Sequence, residues 1–278
     1  MEFQLRTVFF LGVLTALFLA IGYYVGGMGG MIVAFFFAAI LNIGSYFFSD
    51  KIVLAMYRAT PVDTKTNQGS RIYGLVQRVA SKMHLPLPKV CTIEQSSPNA
   101  FATGRNPHHA AIVFTTGILS LLNDDELEGV IAHELSHVKN RDILIASMAA
   151  TIAGAIGMLA HSLTWIGMSG RDDNRNVVGM ILIAITIPIV ATLVQLAVSR
   201  SREYLADETA AHALHSGSGL ASALKKLEKG IQRTPFTKAN EGTAHLFIAN
   251  PFSANGIIGL FATHPPIQDR IKRLESRF

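Results

Sequence analysis

The sequence predicts an α+β fold, mostly helical, with a small β-sheet and two transmembrane or membrane-embedded helical hairpins. Half of the 278 residues are hydrophobic and only 15% are charged, against about a quarter in soluble chains. The deficit is local: residues 7–25, 31–49, 143–168 and 177–198 carry no Asp, Glu, Lys or Arg. Each approaches the ~20 apolar residues that cross a hydrocarbon core. Between the two pairs lies a stretch whose short alternating runs and turn residues read as strands.

The uncharged stretches divide the chain into a first membrane hairpin (1–49), a central region (50–142), a second hairpin (143–198) and a tail (199–278). Residues 7–25 are long for a signal peptide, follow a weakly charged start and are joined almost at once to another apolar run. They therefore read as a retained anchor. Arg6, Lys51, Arg58, Lys139, Arg141, Arg200 and Arg202 flank the apolar stretches, and Gly26–Gly30 between the first two has no charge. By the positive-inside bias, both termini, the central region and the tail lie on the cytoplasmic side. The net charge of +5 fits an anionic bilayer surface. No Lys/Arg block interleaved with aromatics argues for nucleic acid.

In the central region, residues 66–83 read as an amphipathic helix with Ile72, Leu75, Val76, Val79 and Met83 on one face. Leu85-Pro86-Leu87-Pro88 ends it, and strand-like runs follow near 89–94, 99–103 and 110–114. Asn123 then reads as an N-cap with Glu126 three residues on, opening a helix of about five turns. Leu127, Val130, Ile131, Leu135 and Val138 recur along it at helical spacing.

That helix carries His133-Glu134-Leu135-Ser136-His137. Residues four apart share a helical face, so both imidazoles can hold one zinc ion. Glu134 projects close enough to take a proton from the metal's water. The pattern points to a zinc peptidase. A catalytic zinc needs a third protein ligand, and Glu203 and Asp207, also four apart, are the best source. Spacing leaves open which carboxylate binds the metal and which orients an imidazole through its other nitrogen. An even number of crossings separates His137 from Glu203, which returns both to one compartment.

Other residues read blandly. The lone cysteine, Cys91, sits in the run Lys89–Ile93, excludes an intrachain disulfide and fits packing in a reducing compartment. His108 and His109 read as solvated turn residues, and His212 and His215 as rival ligands. After Asp207 the chain reads as helical to roughly residue 230, packing on Leu214, Leu220, Leu224 and Leu227. Residues 234–262 show little periodicity, and Ile267–Phe278 read as a short amphipathic helix.

Four segments in order resemble the HtpX-type membrane zinc metallopeptidases, distant relatives of the CAAX prenyl proteases. They are Ser97–Gly104, His133–His137, Ser201–Asp207 and Thr263–Pro266. The resemblance covers essentially the whole chain. It implies a zincin architecture with one Zn2+ on His133, His137 and Glu203, with Glu134 as general base and Asp207 behind the ligands. It further implies Asn99 on a substrate-facing edge strand and His264 at the oxyanion, with Arg270 supporting it. The implied partners are polypeptide substrates, misfolded or unassembled membrane proteins, at the inner-membrane bilayer. The alternatives are a CAAX-type prenyl-protein protease, for which four apolar segments are few, and an idle zinc-binding scaffold, which would not need Glu134.

Overall fold

The computed structural model describes residues 2–144, 148, 200–233 and 265–278. Helix α1 (Glu2–Met56) is interrupted at Gly26 and Gly27, where Gly27 has φ 59°, a conformation that glycine adopts without steric cost. The two arms lie side by side. Asn42 Nδ2 donates to Thr15 Oγ1 at 2.9 Å, and the Phe18 and Phe37 rings meet edge to face at 5.4 Å. Side-chain-free residues permit this approach: a Cβ on Gly30 would lie 2.2 Å from the Gly22 carbonyl oxygen.

The second arm, Gly26–Met56, is one helix long and apolar enough to cross a membrane. Its 31 residues are largely exposed and span about 46 Å at 1.5 Å per residue. It runs on past Ser49, where the sequence places the end of the first hairpin. The expected second hairpin, 143–198, lies outside the described residues except at 143, 144 and 148.

Helix α2 (Asn67–Lys82) opens on Thr66, whose hydroxyl accepts from the Gly69 N–H, and buries Ile72, Leu75, Val76 and Val79, the face expected from its periodicity. Four strands form a mixed sheet in the order β1-β2-β4-β3. They are β1 (Thr60–Pro61), β2 (Lys89–Ile93), β3 (Ala100–Gly104) and β4 (Ala110–Thr115). β2 and β4 run parallel, while β1 and β3 are antiparallel edges. The two-residue β1 is an addition to the sequence reading, because a Thr-Pro pair carries no period.

Alternation along the strands divides the core into two layers. Val90, Ala102, Ile112 and Phe114 face the helical side. Cys91, Ile93, Phe101 and Val113 face Val53, Leu54 and Tyr57 at the end of α1. The sheet is thus packed directly on the foot of the membrane-competent helix. Cys91 is buried there, and burial pushes its thiol pKa up, which keeps it a packing residue.

After α3 (Thr116–Leu121), helix α4 (Asp124–Lys139) runs through the centre of the molecule, buried on nearly every side. Its start is the expected capping box: Asn123 Oδ1 accepts from the Glu126 N–H, and Glu126 accepts from the Asn123 N–H. Helices α5 (Arg200–Leu214) and α6 (Ser218–Arg233) pack along it, with α7 (Ile267–Arg277) behind them. Gly129 and Gly219 let α4 and α6 touch, since a Cβ on Gly129 would meet the Leu220 nitrogen at 2.5 Å.

The continuous helix expected through residue 230 breaks between α5 and α6. His215 is left-handed, with φ 55°, and Ser216 Oγ accepts from the Ser218 N–H at 3.2 Å, so a side chain caps the new helix. Leu220, Leu224 and Leu227 are buried as expected, as are Ile271 and Leu274 of α7, while Phe278 is exposed.

Glu126 joins α4 to α6, accepting from Ser222 Oγ at 2.7 Å and Lys226 Nζ at 2.8 Å. Burial works against its charge, yet the bonds from Lys226, Ser222 and the Asn123 N–H hold its pKa below the ordinary value. Glu126→Gln is expected to lower the unfolding free energy of the metal-free protein by about 1–2 kcal/mol at pH 7. Because the folded pKa is depressed, this stabilisation is complete above the usual carboxylate range and is lost as pH falls through the folded value. Denaturation curves of the two proteins should therefore converge below about pH 4; a constant gap down to pH 3 would contradict this origin.

Candidate metal centre

His133 and His137 project from one face of α4, one turn apart, with their rings perpendicular. Across from them α5 presents Glu203, Ala206, Asp207, Ala210 and Ala211 as its buried face. The alanines leave room for a close approach, and the two carboxylates fill it.

Among the described residues, one group places three potential donor atoms within 4.8 Å of one another: His133, His137 and Glu203. The His133 and His137 Nε2 atoms are 3.3 Å apart. Glu203 Oε1 lies 3.4 Å from His137 Nε2, and Oε2 lies 3.6 Å from His133 Nε2. With zinc–ligand bonds of 2.0–2.2 Å, a tetrahedral site has edges of about 3.3–3.6 Å. The donor set fits zinc by both chemistry and spacing.

Asp207 lies behind His133, with Oδ1 2.9 Å from Nδ1. Arg270 of α7, fully buried, grips the same carboxylate twice, Nε to Oδ2 at 2.8 Å and Nη2 to Oδ1 at 2.7 Å. Burial would raise the Asp207 pKa, but the Arg270 charge and hydrogen bonds hold it down at about 2. On His133, burial and Arg270 oppose protonation, but the bonds to Asp207 and Glu203 outweigh them and raise its pKa to about 9. Carboxylates that make the ring a strong base also make it a strong donor, and proton and metal compete for one lone pair.

Glu134 is also buried, and its Oε2 accepts the Ala102 N–H of edge strand β3 at 2.9 Å. Burial, then the Glu203 charge, raise its pKa, while both imidazoles and the Ala102 N–H pull against them. Raising a carboxylate's pKa makes it a stronger base.

The other expected site residues fall as follows. Asn99 sits one residue before β3, where its backbone N–H donates to Thr115 Oγ1 and its carbonyl accepts the Thr115 N–H. Arg270 is enclosed among Asp207, Glu203 and His133. His264 lies outside the described residues. His109 bonds Asn106 in an exposed turn, and His212 meets the Phe278 ring edge to face, so neither joins the cluster. Sequence reasoning missed Ala102, whose N–H is a feature of backbone pairing and carries no side-chain signal.

A profile of peptidase family M48 matches residues 67–278. The chain belongs to peptidase family M48. Curated relatives named "Protease HtpX homolog" are similar over nearly its whole length. The protein from Syntrophobacter fumaroxidans is 49% identical, covering 98% of this chain and 99% of its own. That from Syntrophotalea carbinolica is 50% identical, covering 98% of each. That from Pyrococcus furiosus is 48% identical, covering 97% of this chain and 94% of its own. The crystal structure of S. mikatae Ste24p shares the fold, with a TM-score of 0.50 and 21% identity, covering 95% of this chain. The chain spans 62% of that longer protein. As an M48 member of the HtpX type, the protein is a zinc-dependent membrane metalloprotease, a hydrolase of polypeptides.

The Arg270–Asp207 pair predicts a non-additive stability effect. Asp207→Ala leaves the Arg270 charge buried without its bidentate partner and is expected to destabilise the metal-free protein by about 3–5 kcal/mol. Adding Arg270→Met should recover part of that loss in denaturant titrations. Additive losses in the double variant would contradict the pairing.

Proposed function

We propose that this M48 protein is an endopeptidase in which His133, His137 and Glu203 hold one zinc, Glu134 is the general base and Asp207 orients His133. The carrying observation is the convergence of three donors from α4 and α5 at tetrahedral spacing, with Glu134 of α4 beside them, bonded to the edge strand through the Ala102 N–H.

Zinc, when bound, supplies a Lewis acid that lowers the pKa of its water toward ~7 and polarises the scissile carbonyl. Glu134 takes a proton from the attacking water and delivers it to the leaving amine. Asp207, kept ionised by Arg270, accepts a hydrogen bond from the His133 Nδ1–H and leaves Nε2 to the metal. Arg270, enclosed by these groups, acts here as the clamp on Asp207. His264 is assigned to the oxyanion by family likeness alone.

β3 is an edge of the sheet and the backbone of Ala102 reaches Glu134. An extended polypeptide can pair with such an edge through main-chain bonds, with little demand on its side chains. Main-chain recognition beside the foot of α1 supports a role in clearing misfolded or unassembled membrane proteins. Residues 1–49 and 143–198 are assigned to the bilayer, with the catalytic regions 50–142 and 199–278 on its cytoplasmic face.

The test pairs zinc content with casein cleavage in detergent. Wild type and Glu134→Gln are expected to hold about one zinc per chain, with cleavage by the variant lower by ~10²–10⁴-fold. Glu203→Ala should lose the metal and the activity together. Equal cleavage by wild type and Glu134→Gln would remove Glu134 as the base, and full zinc in Glu203→Ala would remove it from the ligand set.

A further inference from the structure

Beyond α4 the chain turns through Arg141, which is left-handed with φ 61°, and re-enters helix at Asp142. A non-glycine residue in that conformation is uncommon and holds only where its surroundings enforce it. The turn brings the Asp142 carboxylate back beneath the last turn of α4. Its Oδ2 lies 3.5 Å from His137 Nδ1, and its Oδ1 3.1 Å from Arg202 Nη1. All three side chains are largely withdrawn from solvent, at 14%, 16% and 13% exposure for Asp142, His137 and Arg202.

This repeats the arrangement behind the other imidazole. His133 turns Nε2 to the donor cluster and Nδ1 to Asp207, which Arg270 holds. His137 turns Nε2 to the cluster and Nδ1 to Asp142, which Arg202 holds.

We propose that Asp142 is a positioning residue for His137, anchored by Arg202, and the counterpart of Asp207 on His133. The inference rests on His137 being a zinc ligand, as proposed above. A neutral imidazole carries one N–H, and a carboxylate at Nδ1 fixes it there, leaving the Nε2 lone pair for the metal. Arg202 precedes Glu203 in α5. One helix therefore supplies a ligand, the carboxylate that orients one imidazole, and the guanidinium that anchors the carboxylate orienting the other. Any shift of α5 along α4 would loosen all of these together.

A mere clasp between α5 and the turn after α4 would add stability without changing metal affinity, and that difference is measurable. Full-length protein in detergent, stripped of metal, is titrated with zinc in competition with a chromogenic chelator, and its metal-free thermal midpoint is recorded in parallel. Partners of this kind typically contribute 10–100-fold in affinity. The longer contact on His137 places Asp142→Ala near the lower end, about tenfold weaker. Asp142→Asn, which keeps an acceptor, should lose less, and Arg202→Gln should weaken binding in the wild type but not further in Asp142→Ala. Zinc affinity within twofold of wild type in Asp142→Ala overturns the proposal, whatever happens to the midpoint. Should that variant fail to fold, unchanged affinity in both Asp142→Asn and Arg202→Gln overturns it equally. His137→Ala is run alongside: wild-type affinity there would refute the ligand set itself, a different failure from that of Asp142 alone.

Discussion

Asp207 accepts two bonds from Arg270 and one from His133 Nδ1, and this buried chain ties α7, α5 and α4 into one unit. Each group would be costly to bury alone. Together they place an ionised carboxylate against the Nδ1 of one imidazole, with Glu203 on the same helix within 3.6 Å of both rings. The alanine-lined face of α5 is what makes that closeness sterically possible. Ala206 and Ala210 are buried on the same face as the two carboxylates, so packing and chemistry share that face.

A second constraint links the site to the membrane. The sheet has one face on α2 and α4 and the other on the foot of α1, so the edge strand beside Glu134 is fixed relative to the helix that can cross a bilayer. Arg105, just past β3, donates to the Phe47 carbonyl of that helix at 3.1 Å.

Much of this was legible in the linear sequence where the determinants are local. The Asn123–Glu126 capping box, the apolar face of α2 and the one-turn spacing of His133 and His137 each depend on residues within a few positions. The break at His215 was signalled by Ser216-Gly217-Ser218 but hidden by the leucines on either side, which kept the helical period. Asp142 and Arg202 were harder. Arg202 reads as one more positive charge flanking an apolar stretch, yet its side chain is mostly buried on Asp142, a partner 60 residues away in sequence. Arg270 likewise gains its meaning only from Asp207, brought to it by α7 packing behind α5.

The proposed zinc site takes two imidazoles from α4 and one carboxylate from α5. Zinc-edge X-ray absorption on the loaded, detergent-solubilised protein tests this ligand set. The expected result is a four-coordinate shell of nitrogen and oxygen at about 2.0–2.2 Å, with outer-shell scattering from two imidazoles and one of them lost in His137→Ala. A sulfur shell at about 2.3 Å, or scattering from three imidazoles, would bring in Cys91 or another histidine and contradict the arrangement.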